Sequence, residues 1–294
     1  MRLDDLDPTK NARDLGRGGG GGGGGFNLLG LLPLLLGRKL GCGTIAILLV
    51  VGVAYMYLSG GGGGISQVGQ SPSQQAQNGR GVPCDTKDEL FACRVMTSTD
   101  ATWQRIFSQA GERYTPATIN FYQQGARSGC GAAESAMGPF YCPADDGVYI
   151  DTSFFDELQR KYGAGGDFAK AYVIAHEMGH HVQDLLGTSG EVAQRQAQLG
   201  RTEGNALSVR LELQADCYAG VWAARNRDRL EPGDIEEGMR AANAIGDDTL
   251  QREAQGRVVP DSFTHGTSEQ RMKWLRTGLQ SGDPAACDTF NGAV

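Results

Sequence analysis

The 294-residue sequence is poor in histidine, with four in all, and three of them fall at positions 176, 180 and 181. It has no Cys-x-x-Cys pair, so neither a zinc finger nor a dithiol redox motif is supported. It has no long basic run, and residues 80–294 carry 21 basic against 30 acidic side chains. An acidic body of this kind argues against nucleic acid as a partner. The 45 glycines follow no G-X-Y period, which excludes collagen. Thirteen of them form two unbroken runs, Gly18 to Gly25 and Gly60 to Gly64, which read as spacers too flexible to pack.

Between residues 40 and 79 there is no charged side chain at all. Residues 40–58, LGCGTIAILLVVGVAYMYL, reach about 29 Å as a helix, enough for one bilayer crossing. Arg13, Arg17, Arg38 and Lys39 precede this stretch, and the next basic residue after it is Arg80. The positive-inside rule then puts the N-terminus in the cytoplasm and the body outside, as a single-pass protein of the cytoplasmic membrane. A second apolar piece, Phe26 to Leu36, is broken by Pro33 and too short to span. The expected organisation is a cytoplasmic Gly-rich segment (1–39), a transmembrane helix (40–58), a Gly/Ser/Gln linker (59–82) and one globular domain (83–294).

Cys42 falls in the span. The other six cysteines are Cys84, Cys93, Cys130, Cys142, Cys217 and Cys287. An even number in an exported domain suggests disulfides, with reduced buried thiols as the alternative. Cys84 with Cys93 and Cys130 with Cys142 are the simplest local pairs.

The coarse reading is α+β, a small antiparallel sheet followed by a mostly helical body. A helix is expected over Asp100 to Gly111 and a strand over Thr118 to Gln123. A hairpin covers 140–151, turning at Asp146-Gly147. Asp167 caps a helix running to Leu186, with Gly187 just past its end. Further helices are expected over Leu207 to Arg225 and from Asp234. Thr267-Ser-Glu-Gln270 is a capping-box pattern that opens the last one.

Residues 176–180 are His-Glu-Met-Gly-His. At positions i and i+4 of a helix both imidazoles share one face and reach one metal ion. Glu177, turned by about 100°, is placed to act as general base on a water activated by zinc. With four histidines in the chain, this pattern arises by chance with a probability of roughly 0.002, which sets aside a pair of packed core histidines. A catalytic zinc needs a third protein ligand and an open position. Gln183 and Leu186 exclude the longer HExxHxxGxxH pattern. Downstream, Glu212 and Asp216 share one face of an apolar helix, where buried carboxylates are costly unless they serve a metal or hydrogen bonds. Glu212 is assigned as the third ligand, with Asp216 orienting a ligand histidine from behind; the alternative exchanges the two. His181 points away from the metal face and is expected to be structural. Trp222, Trp274 and Phe263 read as core, and Asp247 and Asp248 as caps of the next helix.

The ExxxD after HExxH resembles the gluzincin class of zinc proteases. More closely, the chain resembles the bacterial neutral zinc metallopeptidase family. The matching stretches are GPFYCPADDGVYID (138–151), FAKAYVIAHEMGHHVQ (168–183), ELQADCYAGVWA (212–223), AIGDD (244–248) and SFTHGTSEQR (262–271). The resemblance implies a zincin-like fold and a membrane-anchored peptidase with one Zn²⁺ per chain, acting on a peptide or protein substrate. It favours a Cys217–Cys287 pair. It suggests that the strand Gly147 to Asp151 presents a free edge to an extended substrate. It also points to His265 as the group that donates a hydrogen bond to the tetrahedral intermediate, with Arg271 orienting its loop or holding a carboxylate; the alternative is a loop histidine packed against the start of the last helix. The competing reading is a non-catalytic module outside the membrane that zinc merely stabilises. Glu177 at the base position favours catalysis.

Overall fold

The structure is a computed structural model describing residues 1–17, 82–292 and 294. The expected span 40–58, the apolar piece 26–36, Cys42 and all of the linker but Val82 lie outside these residues. Among the described residues no helix is long and apolar enough to cross a membrane.

The first strand, β1 (Ala12–Arg17), comes from the N-terminal segment. Helix α1 (Lys87–Ala110) follows, then β2 (Thr118–Gln123), β3 (Gly125–Ser128), β4 (Gly131–Glu134), β5 (Phe140–Cys142) and β6 (Gly147–Ile150). The rest is helical: α2 (Ser153–Tyr162), α3 (Asp167–Leu185), α4 (Thr188–Gln196), α5 (Arg201–Arg225), α6 (Asp234–Ala244), α7 (Asp247–Gln255) and α8 (Ser268–Ser281). The fold is α+β and mostly helical.

The main sheet is mixed rather than antiparallel, in the order β1-β2-β6-β5. β1 and β6 both run parallel to β2, and only β5 is antiparallel to its neighbour. Parallel neighbours need long connections, and here β1 comes from a segment far upstream of β2. Residues 1–17 are therefore part of the same compact unit as residues 82–294 and not a separate segment. Leu3 is fully buried, Thr9 N–H donates to Cys93 O at 3.2 Å, and Asp5 pairs with Arg229. β3 and β4 form a separate antiparallel hairpin.

Local chemistry sets the element ends. The Thr86 hydroxyl accepts from Glu89 N–H and starts α1 a full 13 residues before the helix expected from sequence. Asp146, at φ 50°, makes the turn between β5 and β6. Gly166, not Asp167, is the cap of α3, and Asp167 is its first residue. Thr267 and Gln270 form the reciprocal capping box of α8.

Helix α3 is buried on nearly all sides, between α1, α5 and α6. On its apolar sides Phe168, Tyr172 and Ile174 join Ile119, Phe121, Val148 and Trp222 in one cluster. A second cluster gathers Trp103, Leu213, Phe263 and Trp274 around the Cys217–Cys287 disulfide. Two glycines allow helices to approach backbone to backbone. A Cβ on Gly179 would lie 2.9 Å from Ala215 Cα, and one on Gly278 would lie 1.9 Å from Cys217 O. α3 and α8 thus both press onto α5. The three disulfides are Cys84–Cys93, Cys130–Cys142 and Cys217–Cys287, the pairs expected from the sequence.

Candidate metal centre

The approach of Gly179 to Ala215 sets Glu212 and Asp216 of α5 against His176 and His180 of α3. One ligand atom from each of His176, His180 and Glu212 lies within 4.8 Å of the other two. His176 Nε2 is 3.1 Å from Glu212 Oε2, and His180 Nε2 is 3.4 Å from Glu212 Oε1. The opposite ring nitrogens are held from behind. His176 Nδ1 lies 2.8 Å from Asp216 Oδ1, and His180 Nδ1 lies 2.8 Å from Gln183 Oε1. Acceptors on both Nδ1 atoms put the proton there and leave both Nε2 lone pairs turned toward Glu212. Two imidazole nitrogens and a carboxylate, with open space in front, fit the donor set of a catalytic zinc.

The electrostatics favour a cation. Burial opposes charge on His176, but Asp216 and Glu212 outweigh it and push its pKa up to about 10. His180 is also raised; burial opposes this and the Glu212 charge outweighs it. Glu212 is held well below its usual range by the two histidines, again against burial. Protons and a metal ion compete for the same place.

Asp216 is fully buried and takes four hydrogen bonds. The donors are Tyr172 Oη (2.6 Å), His176 Nδ1 (2.8 Å), Arg271 Nε (2.9 Å) and Arg271 Nη2 (2.9 Å). Burial would raise its pKa, but the Arg271 guanidinium, then His176, hold it down. Arg271, itself 2% exposed, also donates to Ile245 O. Of the two roles expected for Arg271, holding a carboxylate is the main one. Tyr172 escaped the sequence reading, although it sits one turn before His176 on the same helical face.

A cavity of about 520 Å³ opens in front of the cluster, and His176, Glu177, His180, Glu212 and His265 all line it. Met137, Phe140, Phe154, Val173 and Leu250 form apolar walls. The fourth histidine, far off in sequence, therefore reaches the same cavity. Its Nδ1 lies 3.1 Å from Asp247 Oδ1. Asp247 is not a helix cap. Its Oδ2 accepts from the N–H groups of Thr264, His265 and Gly266 and pins the loop. Asp248 likewise binds Ser268 N–H instead of capping. The bond to Asp247 raises the pKa of His265 against burial. His181 lies on the other side, fully buried, donating from Nε2 to Thr115 O and accepting from Tyr141 Oη.

The strand expected to offer a free edge does not. β6 is paired on one side by β2 and on the other by β5, because the turn at Asp146 folds β5 onto its open flank. The outer edge beside the cavity belongs to β5, whose Phe140 and Tyr141 line it.

No solved structure matches the chain. The uncharacterized protein YpfJ of Escherichia coli (strain K12) is 49% identical over 259 residues, covering 86% of this chain and 88% of that protein. The uncharacterized protein Rv2575 of Mycobacterium tuberculosis (strain ATCC 25618 / H37Rv) is 43% identical over 222 residues, covering 70% and 73%. A family model described as "Putative neutral zinc metallopeptidase" matches residues 1–290, and the chain belongs to that family.

Proposed function

We propose that the protein is a zinc-dependent peptidase whose metal is held by His176, His180 and Glu212. The observation that carries this reading is the pair of ligand histidines, each tied at Nδ1 and aimed with Glu212 at one point on a cavity floor. Bound there, a zinc ion would supply a Lewis acid that activates water and polarises a carbonyl. Glu177, beside His176 and lining the cavity, takes the proton from the attacking water and passes it to the leaving amine. His265, with Nδ1 bound to Asp247, presents Nε2 to the cavity and donates to the oxyanion as charge develops. Asp216, Arg271 and Tyr172 hold His176 in place.

The outer edge of β5 offers main-chain groups to an extended peptide, and the apolar walls take apolar side chains. The domain works outside the cytoplasmic membrane, a placement supported by its three disulfides.

The test is metal content and cleavage of an unstructured protein by the purified full-length chain. Wild type binds one zinc and cleaves in a chelator-sensitive way. Glu177→Gln retains zinc and loses hydrolysis. Equal cleavage by Glu177→Gln would overturn the catalytic reading in favour of a zinc-stabilised binding module.

A further inference from the structure

Gln183 is fully buried on the last turn of α3, three residues after His180. Its Nε2 donates to Leu211 O at 2.7 Å and to Gln214 Oε1 at 3.1 Å. Gln214 in turn donates from Nε2 to Cys287 O at 3.1 Å, and Cys287 is bonded to Cys217.

The polarity of this chain is fixed from its far end. A backbone carbonyl can only accept, so Gln214 must turn its nitrogen to Cys287 and its oxygen to Gln183. Leu211 O imposes the same orientation on Gln183 independently. Both protons of the Gln183 amide are then spent, and its oxygen faces His180 Nδ1. His180 must carry its proton on Nδ1, which frees Nε2 for the metal. The two ligand histidines are thus fixed by different chemistry: a carboxylate neutralised by Arg271 behind His176, and a neutral amide relay behind His180.

We propose that Gln183 and Gln214 are positioning residues of the metal centre, anchored at the Cys217–Cys287 disulfide. This rests on the metal reading above. Zinc affinity therefore depends on a disulfide whose sulfurs belong to neither a ligand nor the cavity wall.

The experiment measures zinc affinity by chelator competition on the full-length chain. Alongside it, imidazole ¹⁵N spectra of the metal-free protein report the His180 tautomer. Gln183→Met keeps the length of the side chain and removes the acceptor. It should weaken zinc binding by about 10- to 100-fold and release His180 from the Nδ1–H tautomer. Gln183→Glu keeps an acceptor for His180 Nδ1 but sets its second oxygen against Leu211 O and Gln214 Oε1, so it should hold the tautomer while recovering only part of the affinity. Gln214→Met and Cys217→Ala/Cys287→Ala should each weaken zinc binding less than Gln183→Met does. If Gln183→Met does not fold, Gln214→Met carries the test alone, with the same direction in both readouts. A wild type that binds no zinc would sink the metal reading itself. A wild type that binds zinc, with variants that bind it equally well in an unchanged tautomer, would overturn the relay alone.

A second, independent observation concerns topology. β1 pairs along β2, Arg94 bonds Asp4, and Arg2 N–H donates to Arg229 O. We infer that residues 1–17 lie on the same side of any membrane as residues 82–294, so the chain does not make one net crossing between them. Residues 1–17 hold four basic side chains and four aspartates, so the positive excess that precedes the span falls on Arg38 and Lys39. In a Cys42→Ala background, exposed Lys10→Cys and Glu112→Cys are treated with an impermeant maleimide on intact spheroplasts. Labelling of both is expected. Labelling of Glu112→Cys with Lys10→Cys protected until lysis would overturn the inference. Protection of both would keep the two parts together and overturn the outside placement instead.

Discussion

Asp247 and His265 form a pair in which one carboxylate does two tasks. One oxygen holds the His265 ring nitrogen at 3.1 Å, and the other gathers three successive backbone N–H groups of the loop that carries it. The histidine and the loop that carries it are thereby held together at the cavity, which His265 lines.

That bond holds the His265 pKa above its usual 6.5, against burial. A raised folded-state value means that its contribution to stability is full below about pH 6.5 and is lost as pH rises through the folded pKa. The protonated ring also keeps an N–H on Nε2, so peptidase activity should fall on the alkaline side along the same titration. Asp247→Asn should lower the His265 pKa, read from its ring resonances, and shift the alkaline limb of kcat/KM in the same direction. An unmoved limb would separate His265 from catalysis.

Gly179 is the fourth residue of the motif and a point where two helices touch. An added Cβ would meet Ala215 Cα at 2.9 Å and Ala215 O at 3.0 Å, both backbone atoms that cannot rotate away. Gly179→Ala should cost about 1–3 kcal/mol in a chemical denaturation series. It should also weaken zinc binding, because Glu212 moves away from the histidines with α5. Full zinc affinity in this variant would show that the ligands do not depend on the close contact.

The candidate metal site was legible because its spacing is local: His176 and His180 share a helical face, and Glu212 and Asp216 share another. The hairpin was legible because Asp146-Gly147 marks its turn. β1 was not, since Ala-Arg-Asp-Leu-Gly-Arg has no alternation of apolar and polar residues and its partner lies about a hundred residues on. With β1 missed, the sheet was read as antiparallel. Asp247 was misread for a related reason. An acidic residue at a helix start looks like a cap, and only the fold reveals that its acceptors serve residues 264–266. Gln183 gave no signal beyond its position three residues after a ligand.

Asp100 and Tyr114 lie behind α3, where Tyr114 packs edge-on to His181. Burial pushes the Asp100 carboxyl up to about 6, although the Tyr114 hydroxyl, donating at 2.6 Å, favours its ionised form. The folded state therefore holds a proton that the unfolded chain releases near pH 4. Stability from this site falls as pH rises from about 4 to 6 and then levels off. Asp100→Asn should remove that slope and gain on the order of 1–3 kcal/mol at neutral pH relative to wild type. Denaturant midpoints of the two proteins at pH 4 and pH 7.5 decide it, and a constant difference between them would be the contrary result.

Arg271 and Asp216 are the most deeply buried ion pair of the site, with 3% and 0% of their side-chain surfaces exposed. Neither could stay charged alone in that interior. Arg271→Met would strand the Asp216 carboxylate beside Tyr172 and His176, and breaking such a pair costs about 3–5 kcal/mol. Tyr172→Phe removes one of four donors and should cost about 1.5–3 kcal/mol, since the acceptor is charged. Asp216→Leu would strand the guanidinium instead and free the His176 ring to turn. The double variant Asp216→Leu/Arg271→Met buries no lone charge, so its loss of stability should be well below the sum of the two single losses. Zinc affinity should behave differently. It should stay low in the double variant, because no acceptor remains on His176 Nδ1 to fix the tautomer. Recovery of stability without recovery of zinc binding would separate the two roles of Asp216. Simple additivity in the stability cycle would mean that the pair is not coupled, and that Arg271 serves the Ile245 carbonyl alone.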